Sequence, residues 1–367
     1  MRNRIIASEG AATYITAICG ASILGSAFMK IMAGRVGSFA GMAITDWVSY
    51  ALIQLAFVAV VLIMGAFRKY DPIKVARLRP STNWKQYVLL PFIAVFAIMA
   101  FFPLADWFSQ LLALMGYPVW ATAITIDFSN VGVYFLALFV IAVLPAFGEE
   151  LLCRGILQTG LNTRGVAFGV LMSAFLFSFM HANPLQTIHQ FGLGVVLAIV
   201  YILSGSLLPC ILLHFLNNFI TLTITAYIPE IEMAIVSLGN WSYLTGTASI
   251  IVGLFGLAIL LYIYYRVGEG KKVPAYKVFE NNVVFEDYSI TVSMDGKEKK
   301  SYPFIDTMKF VGSLFTKKGW QKVGRVLEDK ADVPAIGKKQ PMVNVWIAIG
   351  FAVFYWVLNL VFGLIRL

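Results

Sequence analysis

Long apolar stretches recur along this sequence and constrain the solvent in which it can fold. A helix needs about twenty predominantly apolar residues to cross the hydrocarbon core of a bilayer. Such stretches lie near 10–32, 46–67, 86–105, 131–157, 166–182, 188–204, 207–228, 246–265 and 343–365. Only 13% of the residues are charged and the mean hydropathy is +0.80. The sequence therefore predicts an all-α, polytopic membrane protein with about nine transmembrane helices.

Basic residues are distributed unevenly between these stretches. If the N-terminus is cytoplasmic, 25 of the 28 Lys and Arg residues fall on the cytoplasmic side, and the outer segments 106–130, 183–187 and 229–245 contain none. This is the asymmetry of the positive-inside rule. We therefore expect a cell-membrane protein whose N-terminus and polar insert 267–341 are cytoplasmic and whose C-terminus is outside. The basic loop 68–85 is interpreted as a topology signal near lipid headgroups, and no nucleic-acid partner is needed to explain the charge.

The pattern of polarity divides the chain into five parts. Residues 1–130 form three predicted helices with no acidic residue or histidine at mid-depth, which indicates a structural role. Residues 131–228 contain the buried polar side chains considered below, and 229–266 form one further helix. A polar insert, 267–341, separates that helix from the C-terminal helix at 342–367.

The insert carries a weaker pattern of its own. Residues alternate over Tyr276–Glu286 and Tyr288–Met294, and an Asp295-Gly296 turn signal follows, so we expect a short β-hairpin or meander. The remainder, including Lys317–Lys322, is predicted to be solvated or to lie on the membrane surface. Two roles remain open for the insert, recognition of a substrate and a passive, partly disordered linker.

Two adjacent glutamates stand out, because Glu149 and Glu150 are the acidic residues that fall well inside an apolar stretch. A carboxylate in hydrocarbon costs roughly 2.5 kcal/mol or more, so it indicates function and calls for a partner. Arg154 lies four residues after Glu150 on the same helix face, an arrangement that favours an ion pair. Glu149 is rotated by about 100° from that face, which makes it the better candidate for a general base.

Histidines provide the other polar groups at depth. His181 shares a predicted helix face with Phe177, and His214 shares one with Asn218, whereas His189 is expected at the interface. A carboxylate and an imidazole can hold and deprotonate a water molecule, and a second His with an Asn can stabilise an oxyanion. This chemistry describes hydrolysis of an acyl bond without a covalent intermediate. The HExxH, GxGD and GxSxG signatures of other protease chemistries are absent.

Three motifs occur in order: EExxxR begins at Glu149, FxxxH runs from Phe177 to His181, and HxxxN runs from His214 to Asn218. Over about 131–225 the chain resembles the type II CAAX prenyl protease and bacteriocin-processing (CPBP, or Abi) membrane family. The resemblance implies an eight-helix protease core followed by a last helix. It also implies an intramembrane endopeptidase whose substrate is a peptide or membrane protein, lipidated in some members.

The resemblance further implies roles for individual residues. Glu149 and His181 would activate the hydrolytic water, and His214 and Asn218 would form the oxyanion site. The ion pair of Glu150 and Arg154 would support this arrangement, and no cofactor would be required.

Two other functions remain open on the residues themselves. Glu149, His181 and His214 form a His₂Glu set of the kind that binds zinc in metallopeptidases. Alternatively, the polar cluster serves helix packing or proton passage in a non-enzymatic scaffold, bacteriocin-immunity protein or transporter.

Helix geometry raises one difficulty for a common site. Straight helices would place Glu149 and His181 roughly 20 and 28 Å above the inner turn near Asn162, but His214 only about 10–15 Å above Ser206. We therefore expect the Ser204–Pro209 turn to be recessed into the membrane. The helices should be tilted or kinked, with irregular backbone lining a wet cavity.

Overall fold

The structure, a computed structural model, describes residues 2–81, 83–118, 126–228, 241–269, 276–279, 282–285, 303–331, 333 and 341–365. Helices dominate these residues, and their strands form two antiparallel two-stranded sheets. The protein is therefore an all-α, multi-pass membrane protein, as the apolar stretches predict.

The first part of the chain contains three long helices. They are α1 (Ala7–Met32), α2 (Ile44–Arg68) and α4 (Lys85–Leu114), and a short helix α3 (Pro72–Val75) lies between the last two. A small hairpin of β1 (Ser38–Phe39) and β2 (Met42–Ala43) joins α1 to α2.

A composite helical segment follows over Val131–Arg164. It contains α5 (Val131–Ala137), a π-helical stretch (Leu138–Val143), α6 (Leu144–Glu150), a second π-helical stretch (Leu151–Gln158), α7 (Thr159–Leu161) and a 3₁₀ turn (Asn162–Arg164). The later elements are α8 (Val166–Phe179), a 3₁₀ turn (Pro184–Gln186), α9 (Thr187–Ser204), α10 (Leu208–Tyr227), α11 (Trp241–Glu269), β3 (Tyr276–Phe279), β4 (Asn282–Phe285), α12 (Pro303–Ser313), α13 (Lys317–Ala331) and α14 (Val343–Ile365).

Eight helical segments among the described residues are long and apolar enough to cross a membrane. The remaining predicted stretch, 166–182, forms α8, which has only 14 residues. At 1.5 Å per residue such a helix extends only about 21 Å, short of a full crossing. The chain leaves the helix at Met180, and Ala182 adopts a left-handed φ of 51°. His181 therefore lies in the turn after α8, where its side chain is 19% exposed.

The turn between α9 and α10 is buried within the protein. Ser206 and Leu207 are 1% and 0% exposed. The Ser206 hydroxyl donates to the Arg79 carbonyl, and the Leu207 N–H donates to the Arg77 carbonyl at 3.1 Å. The loop after α3 therefore covers this turn, which agrees with a recessed position, and the depth of the turn in a bilayer stays a prediction.

The insert begins with a hairpin, as expected, but its turn lies elsewhere. β3 and β4 pair antiparallel with Phe279 opposite Asn282, so both strands of this hairpin lie within Tyr276–Glu286. Asparagines at 281 and 282 favour a turn at this point. The predicted strand Tyr288–Met294 and the Asp295-Gly296 turn lie outside the described residues.

Two helices, α12 and α13, occupy 303–331, and the side chains of Lys317, Lys318 and Lys322 are exposed, as the sequence predicts. Leu327 and Ala331 of α13 pack against apolar side chains of α8 and α9, which explains why this amphipathic stretch is ordered as a helix. Lys330 forms an ion pair with Glu269 at the end of α11. This part of the insert is docked on the bundle.

Candidate active site

The helix that carries the two glutamates has an irregular backbone on both sides of them, because π-helical turns precede and follow α6. Pro145 has no N–H to give to the Ile141 carbonyl, as an α-helical residue at that position would. Nδ2 of Asn218 on α10 donates to this carbonyl at 3.3 Å. Such π-helical turns are frequent at functional sites, and they agree with the kinked geometry that the sequence requires.

Glu150 lies at the centre of a fully buried polar network. Its Oε1 accepts a hydrogen bond from Arg154 Nη1 at 2.7 Å, and both side chains are 0% exposed. The predicted ion pair is therefore present. His214 Nδ1 lies 2.9 Å from the same oxygen, and Arg154 Nη2 donates to the Gly194 carbonyl at 3.1 Å. Glu150 thus joins α10 to its own helix, a contact that sequence spacing alone does not indicate.

Glu149 points to a different set of partners. Its Oε1 accepts a hydrogen bond from Gln54 Nε2 at 2.9 Å, and its Oε2 lies 3.7 Å from His181 Nε2. Oε2 is buried and has no hydrogen-bond partner among the described residues. The two glutamates therefore have separate surroundings, as their rotation about the helix predicts.

The orientation of His181 is determined by a backbone carbonyl. Its Nδ1 lies 2.8 Å from the Phe177 oxygen. A carbonyl oxygen can only accept, so Nδ1 carries the hydrogen, and in the neutral ring Nε2 presents a lone pair toward Glu149.

The ring of Phe177 contacts the guanidinium group of Arg154 and the imidazole rings of His181 and His214. The Arg154 guanidinium carbon lies 4.1 Å from its centroid, an attractive cation–π geometry. The His181 and His214 rings contact it edge-on, with centroids at 5.1 and 5.6 Å. One completely buried aromatic side chain therefore contacts three polar residues, which come from the composite helix, the turn after α8 and α10.

Asn218 is attached to the site less directly than the sequence predicts. Its Oδ1 accepts a hydrogen bond from Asn217 Nδ2 at 3.2 Å, while its Nδ2 donates to the Ile141 carbonyl. Within the described part of the chain it makes no hydrogen bond to the side chains of Glu149, Glu150 or His214. The structure thus brings five of the six predicted residues into direct contacts and holds Asn218 against the backbone that precedes them.

His189 is buried among protein side chains, and its predicted position at the membrane interface stays a prediction. It is 8% exposed, and its ring contacts Phe102 of α4 edge-on at 5.7 Å. The cause is the packing of α4 and of the turn before α9 over this end of the bundle. Trp356 of α14 also reaches this turn, where its Nε1 donates to Thr187 Oγ1 at 2.8 Å.

Gln54 is not predicted from the sequence, because the structural role assigned to the first three helices rests on their lack of buried carboxylates and histidines and takes no account of amides. Gln54 is 6% exposed and lies in the middle of α2. A polar amide at that depth is itself the signal that could have identified it. Gly148 makes the contact possible, since a Cβ there would lie 2.8 Å from Gln54 Oε1.

A cavity of about 930 Å³ lies beside His181, within the ~300–1,000 Å³ typical of ligand sites. It is bounded by α1, α2, the Met180–Ala182 turn and Tyr355 of α14. Apolar side chains share its wall with Asp46, Ser49 and Tyr50. The cavity lies at the end of the bundle that carries the β1–β2 hairpin, opposite the basic loop 68–85.

The described residues include no group of three or more His, Cys, Asp or Glu side chains placed to hold a metal ion. The Nδ1 atoms of His181 and His214 are already engaged with Phe177 and Glu150. Zinc binding through Glu149, His181 and His214 would therefore have to use the Nε2 atoms and bring the side chains closer together.

Comparison with protein families identifies the segment that carries these contacts. Residues 131–220 match the family model described as type II CAAX prenyl endopeptidase Rce1-like. The match runs from the first residue of α5 into α10 and contains all six predicted site residues. No curated protein and no solved structure matches the chain. The family resemblance is confirmed for this segment, and it supports a peptidase of the CAAX type in a multi-pass membrane protein.

Proposed function

We propose that this protein is an intramembrane endopeptidase in which Glu149 and His181 activate a water molecule for attack on a peptide bond. The distance of 3.7 Å between Glu149 Oε2 and His181 Nε2 carries the proposal. It exceeds the range of direct hydrogen bonds, which extends to about 3.2 Å. Both atoms are acceptors when the glutamate is ionised and the histidine is neutral. One water can donate a hydrogen to each, which leaves its lone pair free to attack.

Charge balance within the buried cluster supports a different protonation state for the second histidine, His214. Glu149 and Glu150 contribute two negative charges and Arg154 one positive charge, and a buried cluster is least costly when its charges cancel. One histidine should therefore be an imidazolium. We place this charge on His214, because its Nδ1 contacts the Glu150 carboxylate directly at 2.9 Å. In that state Nε2 of His214 is also a donor.

These states define the reaction. Glu149 takes a proton from the water, the hydroxide adds to the substrate carbonyl, and the His214 Nε2–H donates to the resulting oxyanion. The proton held by Glu149 then passes to the amide nitrogen as the C–N bond breaks, which yields a carboxylic acid and an amine. Asn218 is proposed to support the oxyanion site, since an amide has two N–H groups and the Ile141 carbonyl engages one.

The cavity between α1 and α2 offers the substrate a route to His181. Its mixed polar and apolar wall suits an extended peptide from a membrane-bound protein, with or without a lipid chain. With the predicted cytoplasmic N-terminus, this end of the bundle faces away from the cytoplasm. Access from the lipid or from the outer side therefore fits the cavity better than the cytoplasmic access that CAAX-type substrates would require.

Purified protein variants test the proposed chemistry. Glu149→Gln and His181→Ala should each lower peptide cleavage by about 10²–10⁴, the usual contribution of a general base. Asp106→Asn removes an exposed carboxylate from α4 and should leave the rate unchanged. Full activity of Glu149→Gln would rule out the mechanism. A wild-type protein that is folded but cleaves no peptide, and that Glu149→Gln destabilises, would favour the scaffold or transporter.

Metal analysis separates the proposal from the zinc alternative. The cofactor-free mechanism predicts less than stoichiometric zinc in the active protein and no loss of activity after chelation with phenanthroline. Stoichiometric zinc that is lost from Glu149→Gln, together with inhibition by the chelator, would support the metallopeptidase.

A further inference from the structure

A second cavity lies at the other end of the bundle from the cavity beside His181. Its volume is about 400 Å³, and Arg4, Lys74, Arg77 and Arg79 contribute to its wall. Polar side chains such as Thr159 line it as well, and its described lining includes no acidic residue. Four cations therefore surround one cavity of ligand size.

The backbone at Arg77 is strained and is held in place by its neighbours. Its φ of 52° lies in the left-handed region, which a non-glycine residue rarely adopts. The Arg77 carbonyl accepts hydrogen bonds from Leu207 N at 3.1 Å and from Arg79 N at 2.8 Å. Arg77 Nη2 donates to the carbonyl of Ala331, the last residue of α13, at 2.7 Å. Backbone strain that is maintained by surrounding contacts is characteristic of functional loops. Here these hydrogen bonds hold Arg77 at the cavity wall.

Counter-ions for these cations are scarce. Lys74 lies 3.7 Å from Asp71, at the limit of an ion pair, and both side chains are partly solvated. Within the described residues no carboxylate forms an ion pair with Arg4, Arg77 or Arg79. The positive-inside rule explains an excess of basic residues at this end. It does not explain their convergence on one cavity beside a strained turn.

We propose that this cavity binds a phosphate-bearing group, namely the headgroup of an anionic phospholipid. Guanidinium groups match phosphate oxygens in charge and geometry. The wall is formed by the residues before α1, by α3 and the loop after it, and by the ends of the composite helix and of α9. The cavity therefore lies where several helices end, which is the level at which headgroups are expected. Ile5, Ile73 and Ile202 complete the wall with apolar surface. Basic pockets between helix ends bind such lipids in other membrane proteins.

Thermal unfolding of delipidated protein in detergent tests this site. Short-chain phosphatidylglycerol should raise the melting temperature saturably, and the matching phosphatidylcholine should not. The variant Arg4→Gln/Arg77→Gln/Arg79→Gln should weaken the apparent affinity for phosphatidylglycerol about a hundredfold. The control Lys317→Gln/Lys318→Gln/Lys322→Gln removes the same charge from the exposed, far end of α13 and should leave the affinity unchanged.

Several results would decide against the site. An equal response to phosphatidylcholine, or an equal loss of affinity in the lysine control, would show that no charge-specific pocket exists. If inorganic phosphate alone reproduced the shift, and the arginine variant abolished it, the basic pocket would stand and the lipid assignment would fall. Should the triple variant fail to fold, Arg79→Gln alone, at an exposed side chain, should still weaken binding about fivefold. The test needs no peptidase activity and is therefore independent of the proposed function.

Discussion

Gln54→Met removes the amide that contacts the proposed base and keeps nearly the same side-chain volume. Gln54 Nε2 donates to Glu149 Oε1 at 2.9 Å, and Gln54 Oε1 has no partner among the described residues. This substitution therefore deletes one known hydrogen bond. A hydrogen bond to a charged group contributes about 1.5–3 kcal/mol. If the whole of this free energy stabilises the transition state by orienting Glu149, kcat should fall about 10- to 150-fold.

Steady-state kinetics on a fluorogenic peptide would measure this effect. We expect kcat to fall while KM changes less than about twofold, because Gln54 positions the base and does not bind substrate. Gln86→Met is the control: Gln86 is a buried glutamine on α4 whose Nε2 donates to the Tyr264 carbonyl at 3.3 Å and whose Oε1 accepts from Ser81 Oγ at 2.5 Å. It should lower the melting temperature at least as much as Gln54→Met but leave kcat unchanged. Equal kcat values for both variants would refute a positioning role for Gln54.

Three other expectations follow from the same contacts. Arg154→Met should destabilise the protein by about 3–5 kcal/mol, because it leaves the buried cluster with one uncompensated negative charge, and adding Glu150→Gln should restore most of that loss in denaturation experiments. Gly148→Ala should lower both stability, by about 1–3 kcal/mol, and activity, since its Cβ would lie 3.0 Å from the Gln54 carbonyl, whereas Gly350→Ala, with no atom within 4 Å, should do neither. In intact cells, an impermeant thiol reagent should label Ser38→Cys but not Lys318→Cys, and the reverse pattern would invert the predicted topology.

The sequence predicts the fold well wherever a local pattern determines it. Apolar length alone locates the long helices, because a bilayer leaves the backbone few alternatives to helix. It does not locate the end of α8, which depends on the turn at Met180–Ala182. Nor does it reveal that α13 docks, since Leu327 and Ala331 meet α8 and α9 only through tertiary contacts.

The candidate site shows the same division. The spacing of Glu150 and Arg154 predicts their ion pair, because residues four apart on a helix are neighbours. The contact between Glu150 and His214 joins residues 64 positions apart, so no local periodicity reports it. Gln54 is 95 residues from Glu149 and belongs to a helix that otherwise resembles support structure. Helix packing, which a single sequence does not encode in a readable pattern, supplies both contacts.

A double-mutant cycle on Glu149 and His181 tests most directly whether both residues act on one water molecule. Single-turnover cleavage would be measured for Glu149→Gln, His181→Gln and the double variant, with folding checked by thermal unfolding. If the two side chains activate the same water, each single variant should lower the cleavage rate about 10³-fold. The double variant should then lower the rate by no more than about the same factor. Multiplied losses, near 10⁶-fold for the double variant, would show that the residues act independently and would contradict the shared water.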